Sequence, residues 1–322
     1  MRVLSHRLPA VAALTAVAAF CAACGTSSTG NSGSASAAGG AATAAGSFPV
    51  TIAAAGGQVR VKSRPATIIS LSPTATEMLY AIGAGSQVKA VDADSDYPAQ
   101  APRTKLSGLQ PNVESIVAYK PDLVVVSFDA TALAKRLAAF SIPVLDLPAP
   151  SGPSGMYSEF DQLGQATGHL AAAEREETSL RGQISQIVAQ MPRHTKPLTY
   201  YYELDQTYYS ITSSTFVGSL LKLLGMKSIA DSASGAAAAG GYPQLSGEYI
   251  IKASPDYIIL ADTVCCQQSA ATVAKRPGWS SLAAVKAGHI VLLNDDIASR
   301  WGPRVADLLR AVVTAVAKSN GK

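Results

Sequence analysis

One block of sequence occurs twice in the chain. Residues 114–126, ESIVAYKPDLVVV, are matched by residues 248–260, EYIIKASPDYIIL. Each copy reads as an acid, a short amphipathic helix, a Pro-Asp turn and a buried β-run. A second correspondence lies upstream of each copy: a strand (Ile68 to Leu71; Leu198 to Leu204), a Ser/Thr-rich turn, and an apolar helix closing at Gly83 or Gly225. Two matches in the same order predict two lobes of one architecture, and a period this long is a duplicated domain, not a solenoid. A length of 322 residues accommodates two such lobes.

Between the copies runs LAAAEREETSLRGQISQIVAQM, residues 170–191, in which Leu180, Ile184, Ile187, Val188 and Met191 form the apolar stripe of an α-helix. Gly168 marks where a preceding helix ends, and Pro192 closes the far side. A helix of this length spans roughly 33 Å, enough to cross from one lobe to the other. The expected fold class is therefore α/β: two lobes, each with a mainly parallel sheet flanked by helices, joined by a single long α-helix. The N-terminal lobe covers residues 48–154, the connecting helical segment 155–192, and the C-terminal lobe 193–322.

The chain opens with Arg2, His6 and Arg7, then an apolar run to about Phe20 and small residues before Cys24. This pattern is a secretory signal, too short for a spanning helix. Cys21-Ala-Ala-Cys24-Gly resembles a bacterial lipobox, which makes Cys24 the lipidated first residue of the mature chain and residues 1–24 the signal with its lipobox. Residues 25–47 are almost entirely Gly, Ser, Ala and Thr and read as a flexible tether. The expected location is the extracytoplasmic face of the cell membrane, held by the lipid. Loss of Arg2 and Arg7 lowers the formal charge from +4 to +2. No dense basic face of the nucleic-acid-binding kind is present.

Within the N-terminal lobe, residues 48–61 alternate around a Gly-Gly turn and predict an edge hairpin. The strand ending at Leu71 runs into Ser72-Pro73-Thr74, and Thr74 with Glu77 forms an expected capping box. A strand emptying into a helix N-terminus places free N–H groups at the sheet edge where open α/β sheets bind ligands. Asp92, Asp94, Asp96 and Tyr97 reach the same edge, as do Gln110 and Phe128 further on. In the C-terminal lobe the corresponding positions carry Tyr208, Tyr242, Cys265, Cys266, Arg300 and Trp301. Cys265 and Cys266 are either a vicinal bridge or two packed thiols.

Catalytic chemistry finds little support. His169, His194 and His289 have no neighbouring ligand at metal spacing, Gly83-Ala-Gly85 follows a helix where a nucleotide fingerprint must follow a strand, and no nucleophile elbow occurs. No enzyme activity, metal site or resident cofactor is expected. Tyr, Trp, Ser and Asp at loop ends suit a binding cleft with aromatic walls and a few polar fixings. Its candidate lining is Ser72, Pro73, Tyr97, Gln110, Phe128, Tyr208, Tyr242, Cys265, Cys266, Arg300 and Trp301. Glu114 and Glu248, one per lobe at matched positions, are suited to docking on a two-fold related partner.

Over about residues 58–318 the chain resembles the periplasmic binding proteins of iron-siderophore and vitamin B12 ABC importers. The resemblance is carried by ISLSPTATE (69–77), SDYP (95–98), NVE (112–114) with KPDL (120–123), and LSGE (245–248), of which the first two look most like the cobalamin-binding branch. It implies a corrinoid ligand, cobalamin in particular, and docking of Glu114 and Glu248 onto arginines of the importer's transmembrane subunits. Gly108-Leu109 stand where that branch commonly has a tryptophan, and the Cys265-Cys266 pair is not a general family feature. The alternative ligands are a ferric siderophore or haem. The scarcity of basic residues near the cleft, chiefly Arg300 and Arg304, weighs against a highly anionic chelate.

Overall fold

The computed structural model describes residues 47–129 and 132–320. The leader, Cys24 and all of the tether but Ser47 lie outside the described residues. The chain enters through the expected hairpin, β1 (Val50–Ala54) paired antiparallel with β2 (Gly57–Val61). The N-terminal lobe follows as β3 (Ile68–Leu71), α1 (Pro73–Ala81), β4 (Val88–Val91), α2 (Val113–Val117), β5 (Leu123–Val126), α3 (Leu133–Ala138) and β6 (Val144–Asp146). Its four strands are parallel in the order β4-β3-β5-β6. All four residues of β3 and of β5 are buried, as both faces of a helix-covered parallel sheet require.

Two helices, α4 (Pro153–Thr167) and α5 (Leu170–Ala189), lead to the second lobe. That lobe comprises β7 (Leu198–Glu203), α6 (Phe216–Leu223), β8 (Met226–Ser228), α7 (Gly247–Ala253), β9 (Tyr257–Leu260), α8 (Ala270–Ala274), α9 (Ala283–Ala287), β10 (Ile290–Leu292), α10 (Asp295–Ser299) and α11 (Val305–Asn320). Its parallel sheet runs β8-β7-β9-β10, the order of the first lobe with β7 in the place of β3.

The duplicated Pro-Asp turn does the same work in both lobes. The Asp122 carboxylate accepts the backbone N–H groups of Ala66 and Thr67, both at 2.9 Å, and so fastens the approach to β3. Asp256 accepts the N–H and hydroxyl of Thr199 at 2.7 and 2.8 Å, fastening the start of β7. Lys120 and Ser254, each preceding its Pro-Asp pair, share the left-handed conformation with φ of 52° and 44°. Each clamp therefore joins strands more than 50 residues apart in sequence, with |i−j| of 55 and 57 for the Thr67 and Thr199 bonds.

The crossing between lobes is made by α5 as the apolar stripe predicts, but it is doubled. Helix α4 starts beside α6, where Gly152 faces Ser219. It ends at the N-terminal lobe, where the Thr167 carbonyl accepts from Arg64 Nε at 3.2 Å and Gln87 Nε2 at 3.3 Å. Gly168, with φ +76°, reverses the chain, and α5 returns, with Arg181 lying 3.7 Å above the Tyr157 ring. These residues are nearly equidistant from the turn, so the two helices form an antiparallel hairpin. At Gly164 a Cβ would stand 2.7 Å from that of Ala173, a close approach open only to glycine. Met156, Phe160 and Leu163 of α4 and Leu180 and Ile184 of α5 join one continuous apolar core with Ile68 and Met78 of the first lobe and Tyr202 and Leu220 of the second. Full burial of each large side chain contributes about 1.5–3 kcal/mol, so the hairpin is a shared core element of both lobes, not a spacer.

Candidate ligand cleft

The helix α1 begins two residues earlier than the expected capping box. Ser72 is the N-cap, its hydroxyl accepting the Ala75 N–H at 3.2 Å, and Pro73 occupies the first helical position. Glu77, read as the capping partner of Thr74, is instead fully buried and turned to two arginines from the far end of the chain. Arg304 holds it through Nε at 2.9 Å and Nη2 at 2.5 Å, and Arg300 through Nη1 at 2.9 Å. Propensity favours the cap, but a buried carboxylate must be paired, and only the folded chain brings these guanidiniums within reach.

Ser72, Pro73 and Thr74 from the β3–α1 turn, Ala93, Asp94 and Asp96 beyond β4, and Ser127 beyond β5 form one wall of a cavity of about 460 Å³. The facing wall is α10 and its end: Asp296, Ser299, Arg300 and Trp301. This places the carboxyl ends of the first lobe's strands against the segment leaving β10 of the second. Arg300 fastens the two walls together. Beyond Glu77, its Nη2 donates to the Asp94 carbonyl and the Asp96 carboxylate at 2.9 Å and to Asp296 at 2.7 Å. The residue is only 9% exposed, so Arg300 lines the cavity with its donors taken up by the protein. Trp301 lines the cavity while its indole N–H donates to Glu159 of α4 at 2.8 Å.

Tyr97 faces a neighbouring cavity of about 680 Å³, with Tyr80, Pro98, Pro303 and Arg304. The Arg304 guanidinium lies 4.3 Å above its ring. Gln110 is exposed with its N–H on the Ser107 hydroxyl at 2.9 Å, and Phe128 is 63% exposed at the end of β5. Gly108 explains the missing aromatic: a Cβ there would stand 2.7 Å from the Leu71 carbonyl and 2.8 Å from the Asp92 carboxylate. Leu109 beside it is 74% exposed.

In the second lobe Tyr208 stacks on the buried Trp279, centroids 5.7 Å apart, and Tyr242 is 43% exposed. Cys265 and Cys266 are joined as a vicinal disulfide, the first of the two alternatives. Their loop begins over a charged cluster that the sequence reading missed. Glu203 at the end of β7 is buried and holds Arg276 through Nη2 at 2.6 Å, and Arg276 also donates to Gln268 at 2.8 Å. Asp262 at the end of β9 is fully buried beside them with no donor on either oxygen. Burial, then the charge of Glu203, pushes its carboxyl up to about 7. Glu203 closes an aromatic strand run, YYYE, where an acid in a wholly buried stretch was the available signal. Ser72, Pro73, Arg300 and Trp301 thus share one cavity, Tyr97 lines the next, and the remaining candidates border the strand ends of their own lobes.

Two parallel sheets, a shared helical hairpin and a polar cavity between the walls define a two-lobed binding protein. A model described as periplasmic binding protein matches residues 68–297, and the chain belongs to that family. It is 32% identical over 270 residues to YvrC of Bacillus subtilis, named an uncharacterised ABC transporter substrate-binding lipoprotein, covering 81% of this chain and 83% of that one. It is 30% identical over 253 residues to a vitamin B12-binding protein of Pectobacterium atrosepticum, covering 75% and 85%. The crystal structure of the vitamin B12-binding protein BtuF of Vibrio cholerae superposes with a TM-score of 0.66 over 80% of this chain and 99% of that one, at 22% identity.

Proposed function

We propose that the chain is a lipid-anchored extracytoplasmic binding protein that captures a corrinoid, cobalamin in particular, and delivers it to an ABC importer. The carrying observation is the charge state of the cleft. Its two arginines are neutralised from within, Arg304 by Glu77 and Arg300 by Glu77, Asp96 and Asp296, while Asp94, Asp96 and Asp296 remain among the lining residues. Such a cavity repels a carboxylate-bearing chelate and accepts the amide N–H groups that ring a corrin. Exposed apolar and aromatic side chains at the strand ends, Leu109 and Phe128 from one lobe and Tyr242 and Val264 from the other, suit the faces of a large flat ligand. The 30% identity to a vitamin B12-binding relative supports the same ligand class.

The lipid is assigned to Cys24, and the docking contacts to Glu114 and Glu248, which are exposed in the first turns of the equivalent helices α2 and α7. Equilibrium titration with cyanocobalamin, haemin and a ferric catecholate in parallel tests the ligand. The expected result is a cyanocobalamin Kd of about 1 μM or below, with the other two at least about tenfold weaker. Tighter binding of haemin or the ferric catecholate overturns the corrinoid assignment in favour of that chelate.

A further inference from the structure

We propose that Cys265 and Cys266 are a thiol–disulfide exchange site that fixes the position of the α10 wall of the cleft. The bridge lies in the loop from Asp262 to Gln268, which is closed at its base by the Gln268 N–H on the Asp262 carbonyl at 3.3 Å. At its tip the loop is bound to another element altogether. The backbone N–H groups of Val264 and Cys265 donate to the two carboxylate oxygens of Asp295, at 2.9 and 2.6 Å. Asp295 is the first residue of α10, and Arg300, directly after that helix, reaches across to Glu77, Asp94 and Asp96 of the other lobe. The covalent ring therefore directly adjoins the two N–H groups that clasp α10, and Arg300 at the end of α10 is the cation that ties the lobes.

Cys265 is exposed and Cys266 half-buried, so the bond is open to an incoming thiolate. The reductant is an extracytoplasmic dithiol protein. Its thiolate attacks Cys265 Sγ, the Cys265–Cys266 bond breaks, and the electron pair leaves on Cys266 Sγ, which takes a proton. The second thiol then attacks the mixed disulfide and releases Cys265 as a thiol. The net change is one dithiol oxidised to a disulfide and one bridge reduced to two thiols. Opening the ring frees the turn, weakens the Asp295 clasp and loosens the α10 wall.

The test uses the full chain in its oxidised form and after treatment with dithiothreitol, with peptide mass spectrometry locating the two added hydrogens at residues 265–266. Amide hydrogen exchange is the primary readout and needs no ligand. Exchange at Val264, Cys265 and along residues 295–301 is expected to rise by about tenfold or more on reduction, with the two sheets unchanged. The C265S/C266S variant is expected to match the reduced protein and to ignore dithiothreitol, and D295N to show faster exchange with the bridge intact. A bridge that resists dithiothreitol in the folded protein, or exchange at 295–301 that reduction leaves unchanged, overturns the proposal. Only a companion titration depends on the corrinoid reading: cyanocobalamin affinity is expected to fall on reduction. Absence of binding in both forms sinks that reading and leaves the exchange result to decide this one.

Discussion

Glu159 is a carboxyl that the fold keeps neutral. It lies on α4 at 6% exposure, and burial raises its pKa to about 8 against the opposing bond from Trp301. The folded-state value stands above the ordinary 4.5, so between these pH values the folded chain holds a proton that the unfolded chain has lost. Stability accordingly falls as pH rises from about 4.5 to about 8, with the loss complete above that range. Glu159→Gln keeps an acceptor for the indole and removes the charge. Denaturant unfolding at pH 8.5 should show the variant more stable than the parent by an amount on the order of 4 kcal/mol, a gap closing near pH 4. Equal stability at both pH values would mean that the carboxylate ionises in place without cost. Neither this residue nor Glu77 could be read from the sequence, because their partners stand 142 and more than 220 positions away. Ser72 and Pro73 could, since a strand emptying into a helix announces itself locally.

At the scale of elements, the repeat was legible because its parts are short-range: an N-cap, an amphipathic turn, a Pro-Asp pair and a run of β-branched residues. Helix α4 was not resolved as a separate element, since Gly155, Gly164 and scattered polar residues blur its stripe while its burial comes from contacts on several sides. The same equivalence of elements governs docking. Asn112 caps α2 and Ser246 caps α7 through side-chain bonds to the third helical N–H, at 2.7 and 3.1 Å, so Glu114 and Glu248 project from matched scaffolds. Glu114→Ala with Glu248→Ala is expected to abolish cellular uptake of labelled cobalamin while leaving its solution affinity within about twofold of the parent. Uptake at the parental rate by the double variant would remove both acids from the docking surface.

Across the whole molecule, the α4–α5 hairpin and the Arg300 and Arg304 bonds to Glu77 tie the lobes on two sides. A hinge needs a few residues free to turn, whereas here the connection is packed into the core it connects. Ligand capture should therefore change the radius of gyration by less than ~1 Å in solution scattering. A contraction of several ångströms on loading would reveal a hinge where the packing shows none.

The shared core also bears on the molecule's ancestry. The described residues form one compact unit even though two identical strand orders lie within it. A fragment ending at residue 152 would keep a complete four-stranded sheet yet leave the surfaces of Met78 and Leu79 without Met156, Phe160 and Leu163 to cover them. The halves still carry the same strand order, but each would expose on separation apolar surface that the shared hairpin now covers. A circular permutant opened in the tether-proximal hairpin is thus a gentler dissection than any cut between the lobes.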